Sequence, residues 1–503
     1  MAPDRRPTTA PARPGAAVAW AVALAAGVLA FVVRWHLLGG AAGLREYHGY
    51  DDGVYFSSAV AFVHGRLPYR DFLLVHPPGI MLALTPFAAL THWTSDSTAL
   101  AAARVGFLLL GAANTVLVAR LARRWGLAAT VVAGFLYAVS TAAAYSERLT
   151  LLEPLGTLTL LAGITLLRRA DVPRAARRWR YVGGAVLGLG VVVKIWNVVP
   201  VLVVVVWWAL RRGVREAVGV AVAGAAAALL VLLPFAVASG RSMLDLVVLA
   251  QLGRPRAPGT VVTRLEGILG VSATRWESEP VRAAVTAAVG LAVVAAAFAA
   301  WRHDRGRLWV AVLGAQVLVL LAAPSYFASY AAYSAPAVAL VLAAGISVVP
   351  YRLRVAGAVL ACGLLGVVAG VPAAPAQAPF PVAQVRDLLP ATGCIRADSP
   401  GALVVLDVLS RNERRGCATR IDVSGQTYAV GDRDSAGRPV PRVRNHQWQE
   451  AAVAYLTSGS AAVIARQTGN GFARTTVERL QSHGRVVQVG AVEVLLPGAA
   501  SDG

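Results

Sequence analysis

The sequence predicts a polytopic α-helical membrane protein of about eleven spans with a small α/β domain at its C-terminal end. Three observations carry this. Of the 503 residues, 57% are hydrophobic and the mean hydropathy is +0.61, values common in multi-span membrane proteins and rare in soluble ones. The basic residues fall in short Arg clusters between apolar runs, and acidic residues gather in the alternate loops. From about residue 376 the long apolar runs give way to mixed sequence with short helix and strand patterns. The net charge of +21 follows from the Arg clusters and reads as the positive-inside bias, not as nucleic-acid binding.

Residues 1–15 are rich in Pro and Arg and are expected as a disordered cytoplasmic tail. The membrane unit is expected over 16–371. Its first span runs from about 16 to 33, with no convincing cleavage site after it. With Arg5, Arg6 and Arg13 inside, the polar stretch that follows lies outside the cytoplasm, in an outer loop over 34–97. The apolar run Gly79–Leu90 is short and interrupted by Pro86, which suits an interfacial or re-entrant helix. Full runs at 98–119, 127–144 and 150–167 follow, with basic clusters at 120–124 and 168–180. Two shorter runs, 181–194 and 196–210, meet at Lys194, the only lysine in the chain. Runs 216–237, 281–300, 308–323, 335–349 and 355–371 complete the series, with a long polar outer loop over 239–280.

A linker rich in Ala and Pro is expected at 372–381, and residues 382–503 form the expected extracytoplasmic α/β domain. PVAQVRDLL and PGALVVLDVLSRN read as helical; CIRAD, AAVIARQ and VVQVGAVEVLL read as strands. Cys394 and Cys417 both fall here. In an oxidising compartment they form a disulfide; the alternative is two buried thiols.

The chemistry concentrates in residues 47–79, YHGYDDGVYFSSAVAFVHGRLPYRDFLLVHPPG. Asp51 and Asp52 stand before a helix-like segment, where an anion is stabilised by the helix N-terminus. Adjacent carboxylates can supply a general base and an orienting or metal-binding partner; the same dipeptide before Gly is also ordinary turn chemistry.

The order of elements in this stretch resembles the first extracytoplasmic loop of the GT-C superfamily of glycosyltransferases. That superfamily includes protein O-mannosyltransferases, aminoarabinose transferases, and actinobacterial mannosyl- and arabinosyltransferases. The matching residues are the pair Asp51-Asp52, then Tyr55, then Gly65-Arg66-Leu67-Pro68-Tyr69-Arg70-Asp71-Phe72, then His76-Pro77-Pro78-Gly79. The resemblance implies a transferase that uses a polyprenyl-phosphate sugar on the outer face of the plasma membrane. An acidic residue deprotonates the acceptor hydroxyl, polyprenyl phosphate leaves, and the anomeric configuration inverts. Asp51 is the preferred base and Asp52 the alternative. A divalent metal at the pair, held by Asp51 and Asp52, is compatible, since some relatives use one. The partners implied are the lipid-linked donor, a glycan, lipoglycan or protein acceptor, and membrane lipid.

A phosphate leaving group needs cations nearby. Lys194 is the first candidate, since a lysine at membrane depth needs an anion or an acid partner. Arg70, His76, Arg254 and Arg256 are further candidates, and Tyr55 joins them as a substrate contact. Glu147 is expected to line the site from the second outer loop, where aminoarabinose transferases place an Asp instead. Glu153 needs a partner, for which Arg148 is near in sequence. Tyr326, Tyr330 and Tyr333 read as interfacial anchors. No GxxxxGK[ST], GxGxxG, HExxH or CxxC motif is present. A transporter or flippase of lipid-linked saccharides is the second reading. Transporters place charges mid-membrane on broken helices, whereas here the charges gather in one outer loop.

Overall fold

The computed structural model describes residues 15–170, 176–254, 260–271, 278–350, 379–466 and 469–497. It is mostly helical. In chain order the membrane unit contains α1 (Ala16–Leu38), α2 (Tyr50–Val63), α3 (Gly79–Ala88), α4 (Asp96–Ala122), α5 (Leu127–Val139), α6 (Thr141–Glu147) and α7 (Leu152–Arg169). It continues with α8 (Ala176–Val193), α9 (Val198–Arg212), α10 (Val214–Ser239), α11 (Glu279–Arg302), α12 (Arg307–Ala322) and α13 (Ala335–Ile346).

Among the described residues, five helices have the length and apolarity of a full span: Ala16–Leu38, Asp96–Trp125, Ile195–Arg212, Val214–Ser239 and Glu279–Arg302. The pair α5 and α6, bent by 56° at Ser140, would be a sixth. The other expected spans within the described residues are shorter or carry charged ends, so the expected count of about eleven is not reached by this measure. The last expected span, 355–371, lies outside the described residues, as do 1–14 of the expected tail and most of the expected linker. The outward face of α10 is apolar, with Leu229, Leu230, Leu233 and Val237 all more than half exposed. Such a surface suits lipid and not water.

The run 79–90 is a short apolar helix as expected, continued by one 3₁₀ turn to His92. At Lys194 the backbone leaves the helix and a 3₁₀ turn, Ile195–Asn197, joins α8 to α9.

The C-terminal unit holds a four-stranded sheet of β1 (Ile395–Ala397), β2 (Ala461–Ile464), β3 (Gly484–Val489) and β4 (Val492–Pro497), in the order β1-β2-β4-β3. β1 and β2 are parallel, and the other pairings are antiparallel. Helices α14 (Pro400–Val405), α15 (Leu409–Arg414) and α16 (His446–Thr457) pack on it. The stretch expected as one helix from Pro400 breaks into α14 and α15 because Asp407 adopts φ 58°, in the left-handed region. Cys394 and Cys417 form a disulfide.

This unit has a small core of its own around Trp448, Tyr455 and Ile464. Its other face shares one continuous core with the 47–79 segment: Phe56, Val60 and Leu74 pack with Ile395, Leu403 and Val494. The approach is closest at two glycines. A Cβ on Gly53 would lie 2.5 Å from the Gly401 Cα, so only glycine lets α2 and α14 meet backbone to backbone. Side chains then fasten the two units. Tyr47 donates to Ser399 at 2.9 Å and Tyr50 to Asp422 at 2.7 Å. Asp96 accepts from the Ser410 amide at 2.9 Å, and Arg66 pairs with Glu413 at 2.9 Å.

Candidate active site

A cavity of about 630 Å³ lies between the 47–79 segment, neighbouring loops of the membrane unit and the C-terminal unit. The first turn of α2 forms one wall. Asp51 and Asp52 both sit in this turn, as expected, after an extended Gly49. Consecutive helical residues point about 100° apart, and here the difference assigns them unlike surroundings.

Asp52 turns into the protein and is 2% exposed. Its Oδ2 pairs with Arg104, itself buried in α4. Its Oδ1 accepts from the Thr150 amide at 2.8 Å and the Thr150 hydroxyl at 2.7 Å. Burial works to raise the carboxyl pKa, but Arg104 and the Thr150 hydrogen bonds outweigh it and hold Asp52 below the usual carboxylate range. Arg104 in turn donates to the carbonyls of Leu44 and Glu46 at 2.8 Å each, so the ion pair also ties down the approach to α2.

Asp51 instead opens into the cavity, and no hydrogen bond or ion pair engages it among the described residues. Asp51 stays exposed to water at the cavity. Partial desolvation, with the neighbouring Asp422 adding like charge, pushes its pKa up to about 6. Tyr55 and His76 line the same cavity, with ring centroids 5.7 Å apart. Burial, and then Arg254 and Lys194, hold the His76 imidazole well below its ordinary pKa, so it is neutral.

Arg254 also faces the cavity. One guanidinium nitrogen reaches the Tyr330 hydroxyl at 3.4 Å, its Nε has no hydrogen-bond partner, and it forms no ion pair among the described residues. Of the residues expected at the site, the cavity therefore gathers Asp51, Asp52, Tyr55, His76 and Arg254.

Others fall elsewhere. Lys194 does not line the cavity. Its Nζ pairs with Glu153 at 2.7 Å and lies 3.8 Å from the Tyr330 ring centroid. Glu153, not Lys194, shows at the wall, and the expected Glu153–Arg148 pair gives way to this one. Burial explains the choice: the lysine and the acid are each at most 5% exposed, and each needs a countercharge.

Glu147 likewise leaves the site. It is 1% exposed and accepts from Arg34 Nη2 at 2.6 Å, Asn114 at 2.8 Å and the Tyr137 hydroxyl at 2.7 Å. It is the hub of a polar network inside the helix bundle. Arg70 is solvent-exposed and pairs with its neighbour Asp71 at 2.9 Å, away from the cavity. Arg256 lies outside the described residues.

Several site residues were not anticipated. Arg104 could have been found, because a lone Arg inside the apolar run 98–119 needs a buried acid. Tyr330, expected as an anchor, lines the cavity. Asp422, Arg442 and Arg466 come from the C-terminal unit, and no local pattern marks them. Among the described residues no three His, Cys, Asp or Glu side chains are grouped to hold a metal. With Asp52 committed to Arg104 and Thr150, the acidic pair does not form a cation site by itself.

Residues 84–249 match the family model of dolichyl-phosphate-mannose-protein mannosyltransferases. Among curated proteins, no sequence matches the chain. Solved structures that share its fold include the following two. ArnT from Cupriavidus metallidurans in the apo state is 14% identical, with a TM-score of 0.56 over 96% of this chain and 99% of that one. The oligosaccharyltransferase of Archaeoglobus fulgidus, in complex with Zn and sulfate, is 14% identical, with a TM-score of 0.53 over 88% of this chain and 68% of that one. These likenesses show that the chain shares the fold of ArnT and of the archaeal oligosaccharyltransferase.

Proposed function

We propose that the protein is an inverting glycosyltransferase that moves a sugar from a polyprenyl-phosphate donor to a cell-envelope acceptor on the outer face of the plasma membrane. The observation that carries this is the division of labour in one cavity. Asp51 is open, with a pKa pushed up to about 6. Asp52 is locked by Arg104 and Thr150. Arg254 faces the same space and forms no ion pair among the described residues. An archaeal oligosaccharyltransferase of this fold, TM-score 0.53, has been seen in complex with an inhibitory peptide and a dolichol-phosphate, which supports a lipid-phosphate donor here.

In this mechanism the acceptor hydroxyl oxygen attacks the anomeric carbon as the bond from that carbon to the phosphate oxygen breaks. Asp51 takes the hydroxyl proton. At pH 7 a carboxyl of pKa about 6 is about nine-tenths ionised, so it is present as a base and strong enough to help. Charge develops on the departing polyprenyl phosphate, and Arg254 stabilises it. His76, neutral and buried, offers a hydrogen bond without competing for the anion. Tyr55 and Tyr330 supply ring faces for the sugar. Asp52 does not touch substrate; it holds the first turn of α2 so that Asp51 points inward.

The test is transfer from a synthetic polyprenyl-phosphate mannose, or the arabinose analogue, by the purified protein in detergent. Loss of transfer in Asp51→Asn, with an unchanged circular dichroism spectrum, supports the assignment. Wild-type turnover in Asp51→Asn removes Asp51 as the base. Lipid movement across vesicles without any sugar transfer would replace the transferase reading with a transporter.

A further inference from the structure

Three guanidinium groups line the cavity, and a single leaving phosphate accounts for one of them. Arg254 sits with Tyr55, Tyr330 and Asp51 on the side built by the membrane unit. Arg442 and Arg466 belong to the wall built by the C-terminal unit. Behind the walls, Arg104 and Lys194 are each matched by a carboxylate. Neither Arg442 nor Arg466 forms an ion pair among the described residues.

These two arginines converge. Arg442 Nη2 lies 3.4 Å from the carbonyl oxygen of Gly469, and Arg466 donates to the same oxygen. Arg466 is further fixed by its guanidinium carbon 4.1 Å over the Tyr50 ring and by a 3.1 Å hydrogen bond to Ser424. One neutral carbonyl between two like charges leaves them uncompensated. Burial and Arg466 accordingly lower the pKa of Arg442. Two acids are near: Asp398, whose Oδ2 accepts from the Arg466 backbone amide at 3.2 Å, and Asp422. The Asp422 Oδ1 is occupied, accepting from Tyr50 at 2.7 Å and the Gly425 amide at 2.7 Å. Arg442 lines the cavity, and its guanidinium makes one hydrogen bond among the described residues, at 3.4 Å. Such a fork matches the planar geometry of a carboxylate or the oxygens of a phosphate.

We propose that the acceptor is anionic, and that its phosphate or carboxylate docks between Arg442 and Arg466 on the C-terminal wall while its hydroxyl reaches Asp51. This rests on the transferase reading given above and adds the class of acceptor to it. It also gives the C-terminal unit a task, since the anion-binding wall is absent without it.

The test uses the full-length protein in nanodiscs at low salt. Dissociation constants are measured for mannose 6-phosphate, glucuronate, and neutral mannose and glucose, with undecaprenyl phosphate measured in parallel. Wild type should bind at least one charged sugar about ten-fold more tightly than its neutral counterpart; comparing the two charged sugars separates phosphate from carboxylate. Arg442→Gln should erase that preference and leave undecaprenyl phosphate binding within two-fold. Arg442→Lys, which keeps the charge, should retain part of the preference. Arg442 is the chosen position because Arg466 also supports Tyr50 and Ser424. Equal binding of charged and neutral sugars by wild type overturns the proposal. So does an Arg442→Gln protein that keeps the preference or loses undecaprenyl phosphate to the same extent. A wild-type protein that prefers the charged sugar but does not bind undecaprenyl phosphate would sink the donor reading and leave the anion site standing.

Discussion

Asp51→Asn and Asp52→Asn change neighbouring, isosteric side chains and should have opposite effects. Asp52 is 2% exposed and its partner Arg104 1%. Replacing the acid by an amide leaves the guanidinium buried and charged, and breaking one side of a buried pair costs about 3–5 kcal/mol. Thr150 can still donate to the amide oxygen, so about 3 kcal/mol is the expected loss. Asp51 is a different case. Its pKa rises from 3.8 to about 6, about 2 units, or about 3 kcal/mol against the ionised folded state if the group were fully enclosed. It is open to the cavity water, and screening reduces this to about 1 kcal/mol. The sign follows from linkage. Below pH 3.8 the carboxyl is protonated in both folded and unfolded chains, and no penalty exists. The penalty grows as pH rises toward 6 and is constant above it. Asp51→Asn removes it, so this variant should equal or exceed wild type in stability at pH 7.5 and lose its advantage near pH 4. Thermal unfolding in detergent, followed by tryptophan fluorescence at both pH values beside transfer activity, checks both claims. Asp51→Asn should be inactive and at least as stable as wild type. Asp52→Asn should melt several degrees lower, and activity retained in its folded fraction marks Asp52 as structural. A stable, inactive Asp52→Asn beside an active Asp51→Asn would refute the assignment and make Asp52 the base.

Three further outcomes are expected. The pH profile of kcat/KM should rise through about pH 6 and level above it, standing near a tenth of the plateau at pH 5, because the raised pKa belongs to Asp51; Asp422→Asn should move this limb to lower pH by removing the nearby like charge. Glu147→Gln should lower the melting temperature by an amount like that of Asp52→Asn, since it strands the buried Arg34, while the donor KM of the folded protein stays within two-fold of wild type. Cys394→Ser should cost the C-terminal unit about 3 kcal/mol, the chain-entropy value for a loop of this size, given the separation of 23 residues, seen as faster limited proteolysis after residue 379 and reproduced by reducing agent.

In the C-terminal unit the helix His446–Thr457 was not read from the sequence; the strand Ala461–Ile464 was, because its signal is local, a short run of apolar residues that is buried throughout. The acidic pair at a helix start was legible for the same reason. The span count was less so, because hydropathy windows do not see where a helix is bent, as at Ser140; the break at Lys194, marked by a charge between two short runs, was legible. Partner choice was least legible. Glu153 stands five residues from Arg148 in sequence but pairs with Lys194, 41 residues away. Glu147 looked like a loop acid and is buried against Arg34, 113 residues away.

The sequence by itself determined that the chain belongs in a bilayer, since runs of about 20 apolar residues have no other good solvent. It showed too that polar groups are dense in residues 47–79 and sparse around them, which marked that stretch as the candidate site. Only the tertiary structure decided which carboxylate is free. The helix turns Asp51 and Asp52 about 100° apart; α4 brings Arg104 to one of them, and the C-terminal unit closes a cavity over the other. Electrostatic pairing depends on distance through space, and that distance exists only after the helices have packed.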